Sequence, residues 1–214
     1  MTTLTRRNLG LAAGMATAVI LSASALIAFT ADAAEIGENA PAFQNALTST
    51  GETVSLSDFS GKTVVLEWTN HDCPFVVKHY ADPPENMQSL QGEAGQADVV
   101  WLQVISSAPG KQGHVSGEKA QSLNTTRGAI PTYTVIDESG EIGRAYGAKT
   151  TPHMYVIKGD GTLAYQGAID SIRSTKVADL AKADPVFKTA MEAVVAGAEV
   201  KVASTAPYGC SVKY

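Results

Sequence analysis

Two cysteines stand out as residues that can carry out redox chemistry. Cys73 lies within EWTNHDCPFVVKHY (67–80), and Cys210 lies within PYGCSVKY (207–214). A thiolate attacks disulfide bonds, and a second thiol can then complete the exchange. Three interpretations of Cys73 are open at this point: a small buried apolar residue, half of a structural disulfide, or a reactive thiol.

The sequence around Cys73 places it where a thiolate is favoured. TVVLEW (63–68) predicts a buried strand, because it is a dense run containing β-branched residues. PFVVKHY (74–80) predicts a helix with Pro74 in its first turn, where the missing N–H costs nothing. Unpaired N–H groups and the helix dipole at that end favour a negative charge, which predicts a lowered pKa for Cys73.

Two neighbours of Cys73 modify this expectation. Asp72 works against the thiolate, because a nearby carboxylate disfavours a second anion. His71 could offset Asp72 if its side chain points inward. The sequence leaves this balance open.

Histidines on both sides of Cys73 raise the question of a metal site. His71 and His79 flank the thiol, but a structural zinc site usually has four ligands with close paired spacings. We therefore predict no metal ion, and we expect His71 in a loop and His79 on the helix surface. His153 either points toward the thiol or is an ordinary strand residue.

Strands and helices are predicted to alternate along the rest of the sequence. Two apolar segments flank Gly159-Asp160-Gly161, whose residues are typical of a hairpin turn. Pro185 interrupts the last predicted helix. Strands that alternate with helices imply a parallel or mixed sheet covered on both faces. The other predicted elements are two short strands around Thr50-Gly51, strands in 98–106 and 132–139, and helices in 85–96, 117–128, 141–148 and 176–200.

The first 34 residues predict an export signal. Arg6-Arg7 resembles a twin-arginine signal, and Ala31-Asp32-Ala33 offers the small residues that signal peptidase needs. An uncleaved anchor is the alternative, because the segment from Leu9 to Thr30 is long enough to span a bilayer. In either case we expect residues 35–214 to form a single domain on the exported side, periplasmic, secreted or anchored. Disulfides persist in such an oxidising compartment.

The composition is that of an ordinary globular protein, with 44% apolar and 17% charged residues. The formal net charge is −5 and no run of Lys or Arg is present, which argues against nucleic acid as a partner. Contact with a membrane is expected only through an uncleaved leader.

The motifs VVLEWTNHDCPF and TTPHMYVIKGDGTLAYQG together resemble the thioredoxin-like superfamily. More narrowly, the sequence is similar to the redoxins, which include peroxiredoxins of the alkyl hydroperoxide reductase and thiol-specific antioxidant type. The resemblance covers about residues 36 to 172. It implies an α/β fold with a central mixed sheet flanked by helices and an N-terminal hairpin extension.

The resemblance also implies an arrangement of the site. In this family an active-site cysteine follows the central strand, and a cis-proline that opens the next antiparallel strand faces it. Those positions match Cys73 and the pair Thr151-Pro152. In the family, the backbone edge before that proline pairs with an extended substrate chain.

Two departures from the family pattern affect the expected chemistry. Thioredoxins have Cys-x-x-Cys, but Val76 occupies the second position here and cannot resolve a mixed disulfide. The proline and threonine that precede the reactive cysteine of peroxiredoxins match Leu66 and Asn70, so the hydroxyl that binds peroxide is missing. The peroxidase activity of peroxiredoxins therefore carries over only weakly.

The C-terminal tail offers a replacement for the missing thiol. Pro207 and Gly209 predict a turn. The tail also carries three apolar side chains, which a disordered terminus would not need. These side chains are Tyr208, Val212 and Tyr214. We hypothesise that the tail folds back and brings Cys210 to Cys73 as the resolving thiol. A permanent structural disulfide between the two cysteines is the alternative.

The sequence therefore predicts an exported thiol–disulfide oxidoreductase or antioxidant-type redoxin. No metal or organic cofactor is expected, and the partners would be protein or small-molecule disulfides or thiols and an external dithiol reductant. A thiol peroxidase of atypical geometry and a non-enzymatic protein with a structural disulfide are the alternatives. The predicted site consists of Cys73 as nucleophile, Cys210 as resolving thiol, Thr151 and Pro152 as the substrate-binding edge, and His71, Asp72 and Pro74 in support.

Overall fold

The computed structural model describes residues 1–2 and 34–214. The strands are β1 (Ala46–Leu47), β2 (Thr53–Val54), β3 (Val64–Trp68), β4 (Val100–Ile105), β5 (Tyr133–Ile136), β6 (Thr150–Thr151), β7 (His153–Ile157), β8 (Leu163–Gly167) and β9 (Cys210–Ser211). The helices are α1 (Pro74–His79), α2 (Asn86–Gln96), α3 (Gly117–Thr126), α4 (Glu141–Ala145) and α5 (Val186–Val195), with 3-10 helices at Leu56–Phe59 and Val177–Lys182.

A five-stranded sheet in the order β5-β4-β3-β7-β8 forms the centre of the fold. Strand β3 pairs in parallel with β4 and antiparallel with β7, so the sheet is mixed, as predicted. All five residues of β3 are buried. Val65 contributes to one hydrophobic cluster, whereas Leu66 and Trp68 contribute to another. This alternation places the two clusters on opposite faces of the sheet.

Helices cover the first of these faces. Side chains from α1, α2 and α5 join Val65 in its cluster, including Val76, Met87 and Phe187. Because helices pack on this face, the strands can be apolar along most of their length, which is what the dense β-branched runs predicted.

Most predicted elements are confirmed. Strands β1 and β2 pair antiparallel and form the predicted N-terminal hairpin. Strands β7 and β8 form the hairpin around the glycine-containing turn, where Gly161 has φ +90. The last helical segment is interrupted before Pro185, as expected. The short strands β6 and β9 were not predicted, because two residues carry no periodic signal.

The predicted surface position of His79 is wrong. Its side chain is 0% exposed, because α1 packs beneath Asp170 and the tail residue Tyr208. A helix this short has no polar face that the sequence pattern could identify.

The predicted export signal, with Arg6-Arg7 and the membrane-anchor alternative, lies outside the described residues. Within residues 34–214, no helix combines the length and apolar character needed to cross a membrane.

Candidate active site

The loop after β3 delivers Cys73 to the start of α1. Cys73 is the N-cap residue, with φ −78 and ψ 119, and Pro74 follows in the first turn as predicted. The carbonyl of Cys73 accepts hydrogen bonds from the N–H groups of Val76 and Val77, at 2.8 and 2.9 Å. These bonds hold the Cys73 backbone firmly against the helix.

The sulfur of Cys73 faces the Thr151-Pro152 peptide, which is cis. In the protonated form, the Cys73 S–H donates to the carbonyl oxygen of Thr151 at 3.0 Å. The Thr151 hydroxyl is buried and has no partner among the described residues, so it is free to donate to the sulfur once Cys73 is ionised. Thr151 therefore offers an acceptor to the thiol and a donor to the thiolate.

The C-terminal tail lies directly on this peptide. Strand β9 pairs antiparallel with β6, and Cys210 is the partner of Thr151 in the register. Gly209 has φ +138, and a Cβ there would overlap the carbonyl oxygen of Thr151. Only glycine permits so close an approach of the two backbones.

Both cysteines are free thiols, and the Cys210 thiol forms a hydrogen bond with the Cys73 sulfur. Burial acts to raise the pKa of Cys73, but hydrogen bonds from the Cys210 thiol, Thr151 and the N–H groups of Cys210 and Val76 outweigh it, so the pKa is lowered. Burial and the neighbouring Cys73 sulfur raise the pKa of Cys210 to about 11. Of the two thiols, Cys73 therefore loses its proton first.

The sulfur of Cys73 is completely buried, at 0% exposure. Tyr208 and Cys210 of the tail pack in the same cluster, and the ring of Tyr208 lies edge-on to Phe75 with centroids 5.8 Å apart. The tail thus covers the thiol as well as supplying a second one.

Two of the predicted supporting residues, His71 and Asp72, lie beside each other. The His71 imidazole lies 3.3 Å from the Asp72 carboxylate, whose side chain is largely exposed. Burial lowers the pKa of His71, although Asp72 opposes this effect. The pair lies within the loop that joins β3 to α1.

His153 is an ordinary strand residue. Its Nδ1 accepts from the N–H of Lys149 at 3.4 Å and lies 3.1 Å from the Tyr155 hydroxyl. Burial lowers the pKa of His153 to about 3, so the ring is neutral. Within residues 34–214, no group of three or more His, Cys, Asp or Glu is placed to hold a metal ion.

Sequence reasoning missed two charged residues that lie beside the tail. The Lys78 ammonium lies 3.1 Å from a carboxylate oxygen of Asp170, and both side chains are buried. Tyr208 donates a hydrogen bond to Asp170. A lysine in the middle of PFVVKHY resembles a solvated helix residue, so the sequence carries no signal for this contact.

Comparisons with known proteins agree with this fold. The sequence model of the family described as Redoxin matches residues 35–183. A hypothetical protein of Sinorhizobium meliloti superimposes with a TM-score of 0.69 at 22% identity, covering 86% of this chain and 96% of that one. An uncharacterized conserved protein of Geobacillus kaustophilus gives a TM-score of 0.69 at 23% identity, with 84% and 92% covered.

A third similar structure is described as a putative protein disulfide isomerase of Bacteroides thetaiotaomicron. Its TM-score is 0.53 at 17% identity, and the match covers 76% of this chain and 91% of that one. No curated protein matches the chain. These likenesses show the thioredoxin-like fold.

Proposed function

Because this chain belongs to the redoxin family, we propose that it is a thiol–disulfide oxidoreductase with Cys73 as nucleophile and Cys210 as resolving thiol. The observation that carries the proposal is the position of Cys210, which pairs with Thr151 in the register while the Cys73 thiol donates to the carbonyl oxygen of the same residue. The pKa of Cys73 is lowered and that of Cys210 is raised to about 11. An attacking sulfur must be a thiolate, whereas the second sulfur is needed only afterwards.

The reaction proceeds in two exchanges. The Cys73 thiolate attacks one sulfur of a substrate disulfide, forms a mixed disulfide, and releases the other substrate sulfur as a thiolate that takes up a proton. Cys210 then loses its proton and attacks the Cys73 sulfur, so the Cys73–Cys210 disulfide forms and the second substrate thiol leaves. Two electrons pass from the two cysteines to the substrate. An external dithiol returns them, and no metal or organic cofactor is required.

Thr151 serves this chemistry in two ways. Its hydroxyl has no other partner among the described residues and donates to the ionised sulfur. Its backbone pairs with Cys210 in the closed state, so an extended substrate chain bound at this edge would replace β9. We assign Thr151 and Pro152 to the substrate-binding edge on this basis, and Pro74 to the helix start that orients Cys73.

The substrates belong to the class of protein or small-molecule disulfides. Export to an oxidising compartment, the periplasm, is part of the proposal and is supported by the predicted N-terminal signal. In that compartment the protein would meet disulfides that form and persist.

Reduction of insulin disulfides with dithiothreitol as electron source tests the function. We expect Cys73→Ser to abolish the rate above background. In a single turnover without dithiothreitol, the reduced Cys210→Ser variant should accumulate a mixed disulfide between Cys73 and insulin, measured by intact mass. A wild-type chain that shows no exchange and whose disulfide has a potential below about −300 mV would support the structural-disulfide alternative. Rapid consumption of hydrogen peroxide through Cys73, without exchange, would support the peroxidase.

A further inference from the structure

A buried ionic cluster holds the tail immediately before Cys210. The Lys78 ammonium donates to Asp170 at 3.1 Å, to the Tyr208 hydroxyl at 3.3 Å and to the carbonyl oxygen of Ile172 at 3.5 Å. The other carboxylate oxygen of Asp170 accepts from the Tyr208 hydroxyl and from the N–H of Ile172. The three N–H donors of the lysine therefore find three acceptors only when Tyr208 is in place.

Burial makes the loss of any of these contacts unfavourable. The side chain of Lys78 is 0% exposed and that of Asp170 is 7% exposed. A buried charge pair is favourable only if hydrogen bonds satisfy its remaining donors and acceptors. Departure of Tyr208 would remove one acceptor from the lysine and one donor from the carboxylate, so the cluster resists opening of the tail.

The cluster joins the two reacting segments. Lys78 belongs to α1, the helix that begins directly after Cys73. Tyr208 precedes Cys210 by two residues, and Gly209 between them packs against the backbone of Thr151. One set of contacts therefore determines how closely the two sulfurs are held.

We propose that Tyr208, held by Lys78 and Asp170, is a positioning residue that keeps Cys210 against Cys73 and the tail closed over the nucleophile. This inference rests on the proposed function. It has two consequences with opposite signs. Loosening Tyr208 should expose Cys73, which accelerates attack on a substrate, and should lower the effective concentration of Cys210, which slows resolution.

The test compares Tyr208→Phe with Tyr80→Phe. Both substitutions remove one hydroxyl that donates to a buried carboxylate, Asp170 in the first case and Glu67 in the second. Tyr80 lies at the end of α1 and makes its hydrogen bonds with core residues rather than with the tail. Tyr80→Phe therefore controls for the loss of a buried hydrogen bond.

The measurement uses 5,5′-dithiobis(2-nitrobenzoate), an aromatic disulfide that releases one coloured thiolate on attack and a second on resolution. We expect Tyr208→Phe to speed the first release and slow the second, each by about tenfold, the effect of roughly one lost hydrogen bond. Equilibrium with glutathione should shift against the Cys73–Cys210 disulfide by about tenfold, or about 30 mV. Tyr80→Phe should leave both releases and the equilibrium near wild type.

The inference fails if Tyr208→Phe changes both releases in the same direction or no more than Tyr80→Phe does. Alkylation of Cys210 by iodoacetamide in the reduced chain separates this failure from failure of the proposed function, because it reports opening of the tail without any exchange. A wild type inactive toward disulfides, with Cys210 alkylated faster in Tyr208→Phe, refutes the function and keeps the positioning. Gly209→Ala, which displaces the tail without changing any side chain of the cluster, should reproduce the direction of both changes.

Discussion

Two buried carboxylates lie close to α1, and they are satisfied in different ways. Glu67, on β3, accepts from the Tyr80 hydroxyl at 2.7 Å, from the Trp101 indole at 2.9 Å and from Gln91 at 3.3 Å. All of these donors belong to the sheet or to the helices beside it. Asp170 is instead paired with a buried lysine and with a residue of the C-terminal tail.

The Glu67 network therefore lies in the core, whereas the Asp170 network holds the tail that carries Cys210. Burial raises the pKa of Glu67, although Arg127 and the surrounding hydrogen-bond donors oppose this effect. Asp170 must balance the charge of Lys78, so loss of that carboxylate leaves a buried cation. Removing a member of the first network should affect stability alone, whereas changes in the second should also reach Cys73 and Cys210.

The largest effect is expected from Asp170→Asn. It removes the charge partner of buried Lys78, so the free energy of unfolding should fall by about 3 kcal/mol. Urea unfolding at neutral pH measures this change. Asp98→Asn is the control, because the Asp98–Lys62 pair has the same kind of contact at 2.8 Å but an 81% exposed carboxylate. That variant should stay within about 1 kcal/mol of wild type; equal losses in the two variants would contradict the distinction.

The next largest effect is expected from Gly209→Ala, which acts on the C-terminal tail. The new Cβ would overlap the Thr151 carbonyl, so β9 must separate from β6. We expect the Cys73–Cys210 disulfide to become less stable against glutathione by at least about tenfold, measured by thiol titration. Gly197→Ala is matched to it, because Gly197 also has a positive φ of +66 but no atom within 4 Å of the added carbon. A similar shift in both variants would show that backbone strain, and not the tail contact, is responsible.

The pH dependence of Cys73 alkylation should respond to the neighbouring thiol. Wild-type Cys73 should titrate below the ordinary thiol value, because the Cys210 S–H donates to its thiolate and lowers the pKa. Cys210→Ala removes that donor, so the alkylation midpoint should move to higher pH. Cys210→Ser keeps a donor and should retain most of the lowering. An unchanged midpoint in the alanine variant would mean that the two sulfurs are not coupled.

The smallest effect concerns Glu67 and pH. Because its pKa is raised in the folded state, Glu67 contributes stability below its unfolded value of about 4.5, and that contribution is lost as pH rises through the folded value. The contribution of Glu67 to the free energy of unfolding should therefore decline with rising pH over this range. Glu67→Gln cannot titrate, so the free energy of unfolding of wild type relative to this variant should decline as pH rises, measured by urea unfolding at successive pH values. A relative free energy that increases with pH would refute this sign.

Much of the fold follows from local pattern. The β-branched run before Cys73 and the glycine turn after Ile157 identify β3 and the β7–β8 hairpin, because side-chain alternation and turn residues act over a few positions. The start of α1 at Pro74 follows from the fixed φ of proline. The mixed sheet follows from the order of these elements and was confirmed.

The surroundings of Lys78 and His79 could not be predicted from local sequence pattern. Both have the composition of a solvated helix face, yet both are buried. The side chains that contact them, Asp170 and Tyr208, lie far away in the sequence. Burial of a charged side chain depends on partners that only long-range packing supplies.

The sequence by itself determined that a cysteine follows the central strand and caps a helix, because strand length, proline and helix polarity are local properties. Only the tertiary structure decided that the second cysteine lies against the first and that a buried Lys78–Asp170 pair holds the tail there. The physical reason is that these contacts join segments separated by most of the chain. Their free energy depends on burial and charge pairing, which exist only after the chain has folded.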